Sequence, residues 1–396
     1  MPADLIMWLF FKIINFFWLL ASTNMWPTAL HPSPFLPIAV NAAMIILLSF
    51  LPVKIRFGIP EGKVILAIIA LTVWSLVTDE VGMSVTIICS CLPVLYLIEL
   101  PYGYLKDLLH FVSKWLAILL IPALLLYWAL LFVNIPSLGT LIHPNYEPYH
   151  NYFFYIKTTF DYGTFQRFNA FFLEPGHLSL LCTFLIMANR YQFRRCPWLW
   201  VLLISIIFSF SLAGYVLIAL GYLFIRLDSI GKLLISLVLA AAFVGGVLTW
   251  NGGDNAMNEL IISRLEYDDT KGIKGNNRFF DNTDYEYTKA EGTKYFWISV
   301  KGKANMKLIS GAGYKIYVLQ YGMIGVILAL LFYLSLIPQK PNWRYTIGFL
   351  ILFILCFFQR AYPLWYSWLF PYVVGIYVAK GDKDKETLAL ENDTTT

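Results

Sequence analysis

Glu174 and His177 are the side chains whose types and spacing best suit proton transfer. They stand in Arg167-Phe-Asn-Ala-Phe-Phe-Leu-Glu174-Pro-Gly-His177-Leu, inside an apolar run from Ala170 to Met187. An ionisable group at the centre of a membrane helix costs about 2.5 to 3.5 kcal/mol on insertion scales, so its presence is itself a functional hypothesis. Residues three apart on a helix share one face, and a carboxylate beside an imidazole can act as base and orienter. The local alternative is that Pro175 opens a helix at its first position, with Glu174 merely capping it.

Arginine is the second chemical signal. Its planar fork grips phosphate oxygens bidentately and stays charged at any relevant pH. The segment Asn251–Lys307 holds 18 of the 53 charged residues, nine acidic and nine basic. That balance argues against a simple polyanion patch, and most of these charges read as solvated surface. Within it, Arg264 and Arg278 lead as phosphate ligands, with Arg167 and Arg360 at the ends of apolar runs beside them. Two glycine patterns, Ser310-Gly-Ala-Gly313-Tyr314 and Tyr321-Gly-Met-Ile-Gly325, permit close backbone approach to a ligand or, more commonly in membranes, to another helix.

The elements that must position these residues are set by the bilayer. The chain is 59% hydrophobic and 13% charged with a mean hydropathy of +0.66, whereas about a quarter of residues are charged in soluble domains. A span needs roughly 20 apolar residues, and the sequence has room for about a dozen. This predicts an all-α polytopic membrane protein: one transmembrane domain over residues 1–380 and a disordered cytoplasmic tail over 381–396. The first span, Leu5 to Ala21, reads as an uncleaved helix. Four of the five cysteines lie in apolar runs and Cys196 in an Arg-rich turn, so neither a disulfide framework nor a metal site is expected. Trp198–Trp200 and Trp365–Trp368 read as interfacial anchors.

Short cytoplasmic loops collect Lys and Arg. The basic turns at Lys54–Lys63, Lys106, Arg190–Arg195, Arg226–Lys232, Lys340–Arg344 and Lys380–Lys385 thus place both termini in the cytoplasm. Ser22–Phe35, Asp79–Glu80, Asn134–Phe168, Asn251–Ser310 and Gln359–Arg360 become extracytoplasmic. Trp198 to Phe224 must cross an even number of times, which predicts two short helices meeting at Ser209-Phe-Ser-Leu-Ala-Gly214. Such a turn is tolerated at depth where protein or water surrounds it. The net charge of +5 is explained by these loops, and no nucleic-acid binding is expected.

Phe172-Leu-Glu174-Pro-Gly-His-Leu, the Ser209-Phe-Ser211 turn, a long extracytoplasmic loop, and Gly311-Ala-Gly313 leading to Tyr321-Gly-x-x-Gly325 together resemble the O-antigen polymerase and ligase superfamily. The closest likeness is to the Wzy-type polysaccharide polymerases, over roughly Arg167 to Leu336. The resemblance implies a GT-C-like membrane glycosyltransferase of the bacterial inner membrane, working without metal or cofactor. Its donor would be a glycan on undecaprenyl diphosphate, its acceptor a lipid-linked repeat unit, and its companions a flippase and a chain-length regulator. Glu174 and His177 would be catalytic, Arg167, Arg264, Arg278 and Arg360 would hold the diphosphate, and His143, His150 and Tyr314 would contact glycan. The chain departs from the family at Leu212, where a basic residue is common. An O-antigen ligase is the nearest rival, but ligases typically carry a late-loop histidine and this chain has none after His177. A flippase would place its groups near the midplane between repeats, and no internal repeat is evident. A metal-dependent transferase would need Asp79-Glu80, which read as a membrane–water boundary.

Overall fold

The computed structural model describes residues 3–33, 35–51, 58–78, 81–143, 146–159, 166–226, 281–299 and 313–394, with scattered positions between 231 and 273. Arg264, Arg278, Asp79, Glu80 and Ser310-Gly-Ala312 lie outside the described residues.

The chain is mostly helical, as its lipid-length apolar runs require. Its helices are α1 (Ala3–Ala21), α2 (Trp26–Leu30), α3 (Phe35–Ser49), α4 (Ile59–Thr78), α5 (Val81–Glu99), α6 (Tyr102–Phe132), α7 (Pro175–Ala188), α8 (Leu199–Phe208), α9 (Leu212–Arg226), α10 (Asp281–Ala290), α11 (Lys294–Ile298), α12 (Gly313–Ser335), α13 (Trp343–Gln359) and α14 (Tyr366–Thr394). Among the described residues four helices are long and apolar enough to cross a membrane: Asp4–Ala21, Glu61–Thr78, Tyr102–Phe132 and Gly313–Ser335. Several shorter apolar helices, such as Pro175–Ala188 and Trp343–Gln359, accompany them. This is a membrane protein.

Its interior carries polar groups that answer one another, as apolar surroundings demand. Asn41 Nδ2 donates to Cys89 O at 2.9 Å, the Ser75 and Ser84 hydroxyls meet at 2.6 Å, and Asn189 Nδ2 donates to Ser113 Oγ at 2.8 Å. Tyr366 Oη donates to Asn15 Oδ1 at 2.5 Å and Tyr333 Oη to Pro363 O at 2.6 Å. Interhelical bonds of this kind contribute about 0.6 kcal/mol each on average.

Helix α7 runs from Glu174 at its upper end to Asn189 at its lower end. Helix α8 returns and α9 descends again beside α7: a Cβ on Gly214 would meet Ser179 near the top, and one on Gly221 would meet Tyr191 and Met187 near the bottom. The expected pair of short helices is therefore present, broken at Ser209–Ser211 with Phe210 at φ 46°. Among the described residues, Lys12, Lys106, Arg190 and Arg344 lie at the lower end. Lys106 and Arg190 flank Asp382 at 3.2 and 3.0 Å, Lys12 reaches Asp107 at 2.8 Å, and Arg344 Nε donates to Phe224 O at 2.9 Å.

The structure differs from the sequence reading in four places. The segment 381–396, expected as a disordered tail, continues α14 to Thr394, and Asp382 ties its start to Tyr102, Lys106 and Arg190. The loop 134–168 is not plain loop: it folds as an antiparallel sheet of β1 (Thr140–His143), β2 (Tyr146–Asn151) and β3 (Ile156–Thr158), in the order β1-β2-β3. A two-stranded pair, β4 (Tyr267–Asp268) with β5 (Gly272–Ile273), lies in the large loop. Lastly, residues 170–174, the start of the apolar run expected to be helical, precede the helix.

Candidate active site

Residues 166–174 form a buried extended strap across the upper end. Phe168 N–H bonds Phe208 O at 2.8 Å, Ile156 N–H bonds Ala170 O at 2.9 Å, Trp26 N–H bonds Phe171 O at 2.9 Å and Leu173 N–H bonds Asn24 O at 3.2 Å. Asn169 Nδ2 and Tyr149 Oη add bonds to Phe172 O at 2.8 Å and Leu173 O at 2.6 Å. Non-helical backbone is tolerated in a membrane protein where protein surrounds it in this way. The strap turns at Ala170, a non-glycine residue at φ 50°, a conformation costing roughly 1 to 2 kcal/mol that the surrounding bonds must hold.

Pro175 decides where the strap becomes helix. A residue before proline is pushed to extended backbone, and Glu174 sits at φ −132°, ψ 139° with Pro175 at the first position of α7. Glu174 thus occupies the cap position of the local alternative, yet its side chain makes no capping bond. The carboxylate turns instead to Arg360, and Oε2 forms an ion pair with Nη1. The expectation that Glu174 and His177 share a helix face is not met, because Glu174 precedes the helix. His177 N–H bonds Glu174 O at 3.1 Å, while its ring, 3% exposed, stands edge-on to Trp365 at 5.2 Å.

Arg360 ends α13 and is cradled by two glycines. A Cβ on Gly176 would lie 2.3 Å from Arg360 Nη2, and one on Gly313 would lie 2.3 Å from the Arg360 backbone nitrogen and carbonyl carbon. The use of Gly313 is thus close approach to the residue that holds Glu174. Side-chain exposure is 10% for Arg360 and 27% for Glu174, so the pair is shielded but opens on the carboxylate side.

The other expected residues fall around this pair at different removes. Arg167 Nε donates to Ser209 O at 3.2 Å, bringing a cation to the α8–α9 turn where Leu212 supplies none. Tyr314 follows Gly313 and packs edge-on against Phe358 at 5.2 Å. His143 and His150 lie on β1 and β2, where His150 pairs with Thr140 and Lys157; burial lowers the His143 imidazole below its ordinary value. The sheet reaches the site through Tyr149, the neighbour of His150. Two aromatic residues that the sequence marked only as an anchor or not at all, Trp365 and Tyr362, stack at 4.2 Å, with Trp365 against the His177 ring. Among the described residues no group of three or more His, Cys, Asp or Glu is placed to hold a metal ion.

Helix α12 is broken just beyond the site. Gly322, at φ 68° and ψ 174°, interrupts it, and a Cβ there would lie 2.1 Å from Trp297 O. The carbonyls freed by the break are answered from outside the helix. Ser299 Oγ donates to Gln320 O at 2.7 Å and to Leu319 O at 3.2 Å, and Trp74 Nε1 donates to Tyr321 O at 2.7 Å. The large loop is also joined to α12 by the Lys315–Asp284 ion pair.

Comparison with protein-family models, with curated proteins and with solved structures gives no match.

Proposed function

We propose that this protein is a membrane glycosyltransferase of the polysaccharide-polymerase type, moving a growing glycan from undecaprenyl diphosphate onto the next lipid-linked repeat unit. The observation that carries the reading is the shielded Glu174–Arg360 pair, seated between the first turn of α7 and Gly313 of α12, at the end of α7 away from the Arg190 turn. The reaction needs an acceptor for a hydroxyl proton and a cation for a departing diphosphate, and this pair supplies both types of group. In the proposed step the acceptor oxygen bonds to the anomeric carbon, and the bond from that carbon to the diphosphate oxygen breaks. The electron pair goes to the diphosphate and the hydroxyl proton to Glu174. Arg360 stabilises charge as it develops on the leaving group.

Arg167, held on the α8–α9 turn, supports the reading as a second cation at that end. Arg264 and Arg278 remain proposed diphosphate ligands, His143, His150 and Tyr314 proposed glycan contacts, and His177 a proposed positioning residue beside Glu174. In the same reading the chain crosses the bacterial inner membrane about a dozen times with both termini cytoplasmic and the site on the periplasmic face; Lys106, Arg190 and Arg344 at the opposite end of α7 support it. The test is Glu174→Gln in cells that depend on this chain for polymer. A general base contributes about 10²–10⁴ in rate, so long glycan should collapse to single repeat units at unchanged protein level. A normal length distribution would remove Glu174 from the chemistry.

A further inference from the structure

The Glu174–Arg360 pair presents an electrostatic imbalance. Arg360 lays its guanidinium on the first turn of α7, a 14-residue helix, close enough that Nη2 fills the space a Gly176 side chain would need. A second helix, α12, packs Gly313 against the Arg360 backbone. A helix start carries roughly half a positive charge and favours anions, so a guanidinium laid on the first turn of α7 lies where a cation is disfavoured. Glu174 answers with a single negative charge. Its carboxylate is held there by Arg360 and not by the helix start, since it forms no capping bond.

We propose that Glu174 is a built-in placeholder in an anion seat, holding Arg360 until the diphosphate of the lipid-linked donor displaces it and thereby releases the carboxylate toward the acceptor hydroxyl. The identity of the donor rests on the polymerase reading; the exchange of carboxylate for diphosphate rests on the geometry. A diphosphate carries more charge than a carboxylate and offers more oxygens to the guanidinium fork and the first turn of α7, so exchange is downhill at this seat. While Oε2 is engaged by the guanidinium, one of the two carboxylate oxygens is committed to the ion pair and the carboxylate is held at Arg360. Donor binding and release of the carboxylate become one event.

The consequence is a variant that binds better and reacts worse. The full-length protein is placed in nanodiscs of zwitterionic lipid, and its affinity for inorganic pyrophosphate and for a short prenyl diphosphate is measured by calorimetry. Glu174→Gln should bind both about tenfold or more tightly than the wild type, because the competitor for Arg360 has gone. Glu174→Ser should do the same, and serine is a favoured residue at a helix start, so this second variant keeps α7 intact. The gain should vanish when Arg360→Gln is added. If neither variant binds more tightly, or if the gain survives loss of Arg360, the placeholder is refuted. Loss of the gain in phosphatidylglycerol nanodiscs would assign the seat to a lipid headgroup and overturn the diphosphate. Tighter binding by the variants, with a wild type that itself makes no polymer, would sink the polymerase reading and leave the exchange standing. Lost polymerisation in Glu174→Gln with unchanged diphosphate affinity would do the reverse.

Discussion

Arg360 is buried beneath two glycines, and the geometry gives its replacement a specific signature. Lysine carries the same charge on a flexible stem, but it cannot pair with Glu174 and lie flat on Gly176 at once. Arg360→Lys is therefore expected to lose nearly as much polymer as Arg360→Ala, at normal protein level; near-complete activity in the lysine variant would mean that charge alone suffices. Gly313→Ala separates stability from chemistry. Its Cβ would press on Arg360 backbone atoms at 2.3 Å, which cannot swing aside, so the thermal midpoint in detergent should fall by the equivalent of about 1 to 3 kcal/mol. An unchanged midpoint would show the two segments to be further apart. Glu174 and Arg360 were legible in the sequence because a charge in an apolar run is costly and therefore conspicuous. Gly176 was not, because its use depends on a partner 184 residues away that only folding brings to it.

The break in α12 and the strap before α7 are the two elements that set the site, and they were legible to different degrees. Tyr321-Gly322 stood out as glycines in an apolar run, and the structure puts both Gly322 and Gly325 against protein groups, Trp297 at one and Trp74 at the other. The strap was signalled only by Pro175, and its hydrogen bonds come from Asn24, α2, β2, β3 and α8, none of which a local pattern can foresee. The three-stranded sheet was equally hidden, its strands being three to six residues long and without strict apolar alternation. The break makes Ser299 a structural residue of the site's support. Removing its hydroxyl leaves Leu319 O and Gln320 O without that donor, a loss of about 1 to 3 kcal/mol for a buried acceptor. Ser299→Ala should lower the thermal midpoint accordingly, whereas an unaltered midpoint would place residue 299 outside the break.

Among the described residues the molecule is polarised, with the Glu174–Arg360 pair at one end of α7 and Lys106, Arg190 and Arg344, drawn from basic turns that the sequence assigns to one side, at the other. What the sequence did not foretell is that the segment after the last apolar run is anchored, because Asp382 finds partners on α6 and after α7. Burial works against the Asp382 charge, but the Tyr102 hydroxyl bond and the Lys106 and Arg190 charges outweigh it and hold the carboxyl below its ordinary value. A carboxyl lowered in the folded state contributes stability that is present above the unfolded value and lost as pH falls through the folded one. Wild-type protein should therefore lose its stability advantage over Asp382→Asn between neutral pH and the acid side of the usual carboxylate range, about 3.9; a difference that stays constant with pH would contradict the anchor. The central claim concerns what happens at the other end, and it is tested most directly by purified protein in liposomes supplied with an undecaprenyl-diphosphate-linked repeat unit. The account predicts a ladder of lipid-linked products spaced by one repeat unit, one undecaprenyl diphosphate released for each linkage formed, and neither from Glu174→Gln or Arg360→Ala protein. A lipid-linked substrate that is recovered unextended, or extended equally by the two variants, would contradict it.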